Sequence, residues 1–186
     1  MKTLSKRSGK PHGTAAVAPA HMVRATLLVV AAGALIGWQR CLLQRSIRLI
    51  DGMMMFPASW CGIESFARTV EVVAGLWLAH ATLLWLGLRA ANSRLSWEHA
   101  LAISGDGMIA VVVGTTLLAI AAELQLAPEL AVETFWAGVL AWPLVTGVRL
   151  RHVSASPPRT ITLVSIFAAL GVFAPLLVTI ARHPPW

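Results

Sequence analysis

The chain has 186 residues, of which 57% are hydrophobic and only 12% charged, and its net charge is +7. Soluble domains are nearer one quarter charged, so this composition excludes an ordinary soluble protein and predicts an all-α polytopic membrane bundle. The basic residues separate apolar runs and do not cluster on one domain, which argues against nucleic acid as a partner. The predicted partners are therefore the lipid bilayer and other membrane protein subunits.

The N-terminal residues 1–22 are basic and lack a long apolar run, which predicts a disordered cytoplasmic tail ahead of a single membrane-embedded domain, 23–186. Five apolar segments follow, close to the roughly 20 residues that a helix needs to cross the hydrocarbon core. We therefore predict about five transmembrane helices, and the alternating pattern of a membrane barrel is absent. The segments are residues 25–38, 69–88, 100–122, 130–150 and 160–181.

Lysine and arginine are distributed unevenly between the two sides of these predicted spans. If the N-terminus is cytoplasmic, about ten of the 15 basic residues fall inside and five outside, as positively charged inner loops require. This bias predicts a bacterial-type inner (plasma) membrane protein with residues 89–98 and 149–159 inside. Residues 40–68 and 123–129 are then outside.

The segment after the first span, "RCLLQRSIRLI" (40–50), has arginines and apolar residues at a spacing close to that of an amphipathic helix. We predict that it lies in the membrane interface, with the arginines toward lipid phosphates. Asp51-Gly52 and Pro57 then turn the chain, which places Cys61 near the outer surface. Cys41 and Cys61 lack metal-site spacing, and they could form a disulfide only in an oxidising compartment. No metal or cofactor is predicted.

Ionisable residues inside membrane spans are costly, so each is a functional candidate. Glu71 and Glu133 lie early in their spans, where we interpret them as hydrated interfacial groups. His80 lies near the middle of the second span. A haem with two histidine ligands would need another intramembrane histidine at this depth, and none is present, so we expect His80 to hydrogen-bond between helices.

Asp106 stands between two glycines in "SGDG", residues 104–107. Small residues on both sides allow helices to approach closely, so the carboxylate is placed to pair with a cation from a neighbouring helix or to stabilise a kink. A proton or ion pathway is the alternative interpretation. Trp77 and Trp142 lie deep in their spans, and we expect both to pack between helices.

The stretch "DGMMMFPASWCGIESF", followed by a span, resembles the exosortase/archaeosortase family of multi-span membrane proteins. The resemblance implies a cysteine transpeptidase or protease that processes sorting signals at the outer membrane face. Aligned on Gly62-Ile63, however, Trp60 takes the place of the family's cysteine. Ile109 stands where its arginine belongs, and Glu133 or its neighbour Val132 where its histidine belongs, so the catalytic pattern is degenerate.

Three functions follow from these observations. The first is a non-catalytic accessory or assembly subunit of a membrane complex, which the resemblance would make a degenerate exosortase-like protein. The second is a cysteine transpeptidase centred on Cys61, with Arg68 as the nearest cation in the sequence. Because the immediate neighbours of Cys61 are not basic, its thiol is expected to be an ordinary one. The third is a small-solute or proton carrier that uses Asp106.

Overall fold

A computed structural model describes residues 18–51, 63–123 and 128–182. These residues form six helices and no strand, which confirms the prediction of an all-α bundle. Most of the predicted basic tail and Cys61 lie outside the described residues. The helices are α1 (Pro19–Asp51), α2 (Ile63–Ala90), α3 (Trp97–Gly107), α4 (Ile109–Glu123), α5 (Pro128–Val153) and α6 (Pro158–Arg182).

Four stretches of the described chain are long and apolar enough to cross a membrane. Helix α5 is not among them, but its 26 residues exceed the roughly 20 that a crossing requires. The chain is thus a multi-pass helical protein suited to a bilayer, and the fifth crossing by α5 stays a prediction. The four stretches are Pro19–Gln39, Phe66–Ala90, Trp97–Ala121 and Pro158–Pro175.

Helix α1 is much longer than its apolar part. Its 33 residues extend over about 50 Å, compared with about 30 Å for the hydrocarbon core. Residues 40–50 are helical, as their pattern predicts, and continue the first span without a break. No glycine or proline interrupts the chain between Trp38 and Asp51, so nothing in the sequence stops the helix there. At its other end α1 begins at Pro19, a favoured first helical residue, inside the predicted tail.

The third predicted span consists of two helices that follow each other directly. The amide of Met108 donates to the carbonyl oxygen of Gly105 at 3.0 Å, a bond over three residues instead of four. The regular spacing returns at once, since the amide of Val112 donates to the carbonyl oxygen of Met108. Helices α3 and α4 therefore form one crossing with a tightened turn at Met108.

Helix α3 lies at the centre of the bundle, against α1, α2 and α5. Every residue from 100 to 108 is buried. The two glycines of the "SGDG" sequence permit this position. A Cβ atom at Gly105 would lie 2.5 Å from the Cβ of Ala25 in α1, and one at Gly107 would overlap Thr146 in α5. The predicted close approach of helices at this sequence is confirmed.

One end of the bundle, which we call the loop end, carries the connections 91–96 and 154–157. Helices α1, α3 and α6 begin there, and α2 and α5 end there. Asn92, with φ of 59°, adopts the left-handed conformation just after α2, a common way for a helix to end. Six arginines predicted to be cytoplasmic belong to this end: Arg24, Arg89, Arg94, Arg149, Arg151 and Arg159.

Candidate functional site

Asp106 forms ion pairs with arginines from two other helices. Arg149 of α5 donates from one terminal nitrogen to Oδ2 at 2.8 Å, and the Nε of Arg24 in α1 lies 3.2 Å from Oδ1. The carboxylate side chain is 10% exposed, whereas the arginines are 39% and 50% exposed. One buried acidic group therefore connects α1, α3 and α5, and the predicted pairing with a cation is confirmed.

The two arginines hold Asp106 in different ways. Arg149 makes a hydrogen bond, but the Nε–H of Arg24 does not point so as to make one, and Oδ1 accepts no hydrogen bond in the described structure. At 3.2 Å the attraction of opposite charges remains even without that alignment. The Arg149 contact is therefore the stronger and more directional of the two.

His80 belongs to a second polar group in the bundle. Its Nδ1 lies 2.8 Å from the hydroxyl oxygen of Ser104, across the α2–α3 contact. The indole N–H of Trp142 in α5 donates to the Ser104 carbonyl oxygen at 2.9 Å, and its ring centre lies 4.5 Å from that of His80. The histidine is 1% exposed, and its Nε2 has no partner within the described residues. The expected hydrogen bond between helices is confirmed.

Two further side chains bridge helices through backbone carbonyl groups. Trp77 of α2 donates from its indole nitrogen to the Leu101 carbonyl oxygen at 3.0 Å, so both deep tryptophans pack as expected. The side-chain amide of Gln39, buried in α1, donates to the carbonyl oxygen of Thr115 in α4. Gln39 is not among the predicted site residues, because a polar residue directly after an apolar run is typical of the end of a span.

The remaining predicted site residues are not brought together. Glu71 and Arg68 are exposed on α2, and the hydrated interpretation of Glu71 stays a prediction. Glu133 belongs to α5, but its side chain lies outside the described part, as does Cys61. The proposed proximity of Arg68 to Cys61 therefore stays a prediction. Cys41 is disulfide-bonded and is not a free thiol.

The polar contacts described above connect helices to one another. Within residues 18–51, 63–123 and 128–182, no group of three histidine, cysteine or acidic side chains could hold a metal ion. The Asp106 carboxylate already contacts two guanidinium groups, so it is not open to a transported cation. Both polar groups instead hold α3 against its neighbours.

Comparison with known proteins identifies no relative. No model of a protein family, no curated protein and no solved structure matches the chain.

Proposed function

We propose that this chain is a non-catalytic accessory or assembly subunit of a complex in the bacterial inner membrane. The observation that carries the proposal is the double ion pair of Asp106. It engages the one buried acidic side chain among the described residues in contacts within the chain. A carrier needs such a carboxylate free to exchange its partner. The buried charge here stabilises one arrangement of helices.

Exposed apolar side chains give the bundle the surface that a membrane subunit requires. Along α6 the large residues Leu163, Phe167 and Leu170 are each more than 60% exposed, and Leu144 of α5 is 71% exposed. In a bilayer such surfaces contact lipid or another helix. The proposed partner is another membrane protein, and its helices would pack on this side.

We also propose that the chain is an exosortase-like protein that has lost the catalytic residues of that family. Cys41 is disulfide-bonded, and the chain contains two cysteines, so a bond within the chain would use the sulfur of Cys61. A sulfur in a disulfide is not a thiolate nucleophile. A disulfide at Cys61 would therefore exclude the alternative function, a transpeptidase that works through the Cys61 thiolate.

Purification at native expression level in a mild detergent tests the subunit proposal. A photo-crosslinking residue at Phe167 should capture one membrane protein that also copurifies in a fixed ratio, and the same residue at Ala168, which is buried, should not. A chain that purifies alone and crosslinks only to lipid from Phe167 would contradict the proposal.

Alkylation of membranes without reductant tests the transpeptidase alternative. If Cys41 and Cys61 are bonded, neither sulfur reacts until a reductant is added, and both react afterwards. Peptide mass spectrometry should then find the two cysteine peptides joined in the unreduced sample. Alkylation of Cys61 before reduction, together with a thioester trapped on it by a sorting-signal peptide, would favour the enzyme.

A further inference from the structure

A cleft of about 630 Å³ opens at the loop end, between the start of α1, one face of α3 and the last turns of α5. We call it the basic cleft. Its volume falls in the range of small-molecule sites. It is lined by three histidines (His21, His99 and His152), by Arg149 and Asp106, and by four small or apolar residues (Ala18, Ala102, Ile103 and Val153).

The charges around the basic cleft favour an anion. Asp106, which lines the cleft, is paired with Arg149 of the lining and with Arg24, which lies outside it, so the three residues together carry one positive charge. Arg149 uses one terminal nitrogen for Asp106, and its other N–H groups have no partner within the described residues. Because Arg149 is bonded to Asp106, its guanidinium is fixed in position and still has N–H donors available.

The histidines add donors at the rim. His21 and His152 are exposed, and their side chains make no hydrogen bond within the described part of the chain. His99 bonds through Nδ1 to the hydroxyl of Ser96, at 2.8 Å, which leaves its Nε2 available. Imidazole N–H groups and a guanidinium around one space are well suited to the oxygen atoms of a phosphate.

We propose that the basic cleft binds a phosphate group, with Arg149 as its principal contact and Asp106 as the residue that positions Arg149. The adjoining apolar side chains Ala102, Ile103 and Val153 favour a phospholipid headgroup, whose glycerol and acyl parts can lie against them. A soluble phosphate ester shares the same chemistry. The site goes beyond the subunit function and does not depend on it.

Titration of the purified full chain in a mild detergent tests the site with three probes. They are dihexanoyl phosphatidic acid, dihexanoylglycerol, which lacks only the phosphate, and inorganic phosphate. The phosphatidic acid should bind at least about tenfold more tightly than the neutral glyceride, as one charge-assisted hydrogen bond would provide. Equal binding of the two lipids would overturn the proposal.

Inorganic phosphate distinguishes the two sources of the ligand. If millimolar phosphate displaces phosphatidic acid, the cleft accepts free phosphate esters as well as headgroups. If it does not, while the preference for phosphatidic acid over the glyceride persists, the cleft is a lipid site. Under either result the cleft recognises a phosphate group, as proposed.

Two neighbouring residues of α5 give a matched pair of variants. Arg149→Gln should weaken phosphatidic acid binding about tenfold, because it removes the charged donor. Arg151→Gln removes the same charge at an exposed position outside the cleft, where the arginine instead bonds to Thr162, and should change binding less than about twofold. Equal losses in both variants would mean that net charge, and not the cleft, binds the lipid.

A third variant keeps the test decisive if Arg149→Gln does not fold. His152→Glu keeps Asp106, Arg24 and Arg149 unchanged and places a negative charge at the rim of the cleft. This variant should reduce phosphatidic acid binding several-fold, because the glutamate repels the negatively charged phosphate group. The melting temperature should stay unchanged. Binding equal to that of the unaltered chain would overturn the proposal.

Discussion

At the scale of single residues, Asp106 combines a high cost of burial with two partners that offset it. We predict that Asp106→Leu destabilises the bundle much more than Glu71→Leu does, because Glu71 is exposed on α2. Breaking a buried pair costs about 3–5 kcal/mol, and the partial exposure of Arg24 and Arg149 places this case toward the lower value. Melting in detergent measures both variants. Equal melting temperatures would show that the carboxylate is hydrated and would favour the carrier.

Ser104 is the second informative residue, since its side chain contacts the buried His80 and its carbonyl group accepts from Trp142. Ser104→Ala should cost about 0.6–1.7 kcal/mol, the range for hydrogen bonds between membrane helices. Thr116→Ala is the control, because that exposed hydroxyl bonds only to the Val112 carbonyl of its own helix. A loss of stability as large at Thr116 would contradict a specific role for the contact between helices.

The sequence revealed these residues only in part. Asp106 was recognisable because a carboxylate between two glycines in an apolar run is unusual, and its need for a cation follows from the cost of burial. The identity of the cations was not recognisable, since Arg24 and Arg149 lie 82 and 43 positions away. Both were assigned to loop charges. Gln39 and Ser104 gave no signal, because their partners lie on other helices far along the sequence. Gln39 donates to a backbone carbonyl group in α4, and Ser104 contacts side chains of α2 and α5.

At the scale of helices, the close contact of α3 with α1 depends on Gly105, which has no side chain. Gly105→Ala should destabilise the bundle by about 1–3 kcal/mol, because the new methyl group overlaps the backbone and side chain of Ala25. Gly75→Ala is the matched control, as no atom lies within 4 Å of a Cβ there, and alanine favours a helix. The melting temperature should fall for the first variant and stay or rise for the second. A tolerated Gly105→Ala would mean that α1 and α3 are not closely packed.

Apolar runs in the sequence predict where a helix lies better than they predict the residues at which it begins and ends. The predicted spans 69–88 and 100–122 lie within α2 and the α3–α4 pair. Helix α1 nevertheless continues to Asp51, because arginine and glutamine favour helices as much as apolar residues do. Hydrophobicity marks the part of a helix that prefers lipid. Where the helix ends depends on residues that break it.

At the scale of the whole molecule, two features indicate which end of the bundle faces the cytoplasm. They are the arrangement of basic residues and the disulfide of Cys41. The loop end gathers six arginines that the charge bias assigns to the cytoplasm. Cys41 lies about 26 Å beyond Arg24 along α1, toward the other end. A disulfide forms in an oxidising compartment and is rare in the cytosol. Both observations support the proposed orientation with the N-terminus inside.

Helix α2 allows a direct test of that orientation, because its two ends are accessible and about 40 Å apart. In a chain whose cysteines are replaced by serine, Ile63→Cys should react with an impermeant maleimide on intact cells, since Ile63 is 86% exposed at the predicted outer end. Asn92→Cys, exposed just beyond the loop end of α2, should react only after the membrane is permeabilised, and so should Ser156→Cys. Outer labelling of Asn92→Cys alone would reverse the orientation. Outer labelling of both Asn92→Cys and Ile63→Cys would mean that α2 does not cross the membrane, and would contradict the bundle of spans from which the functional proposals are built.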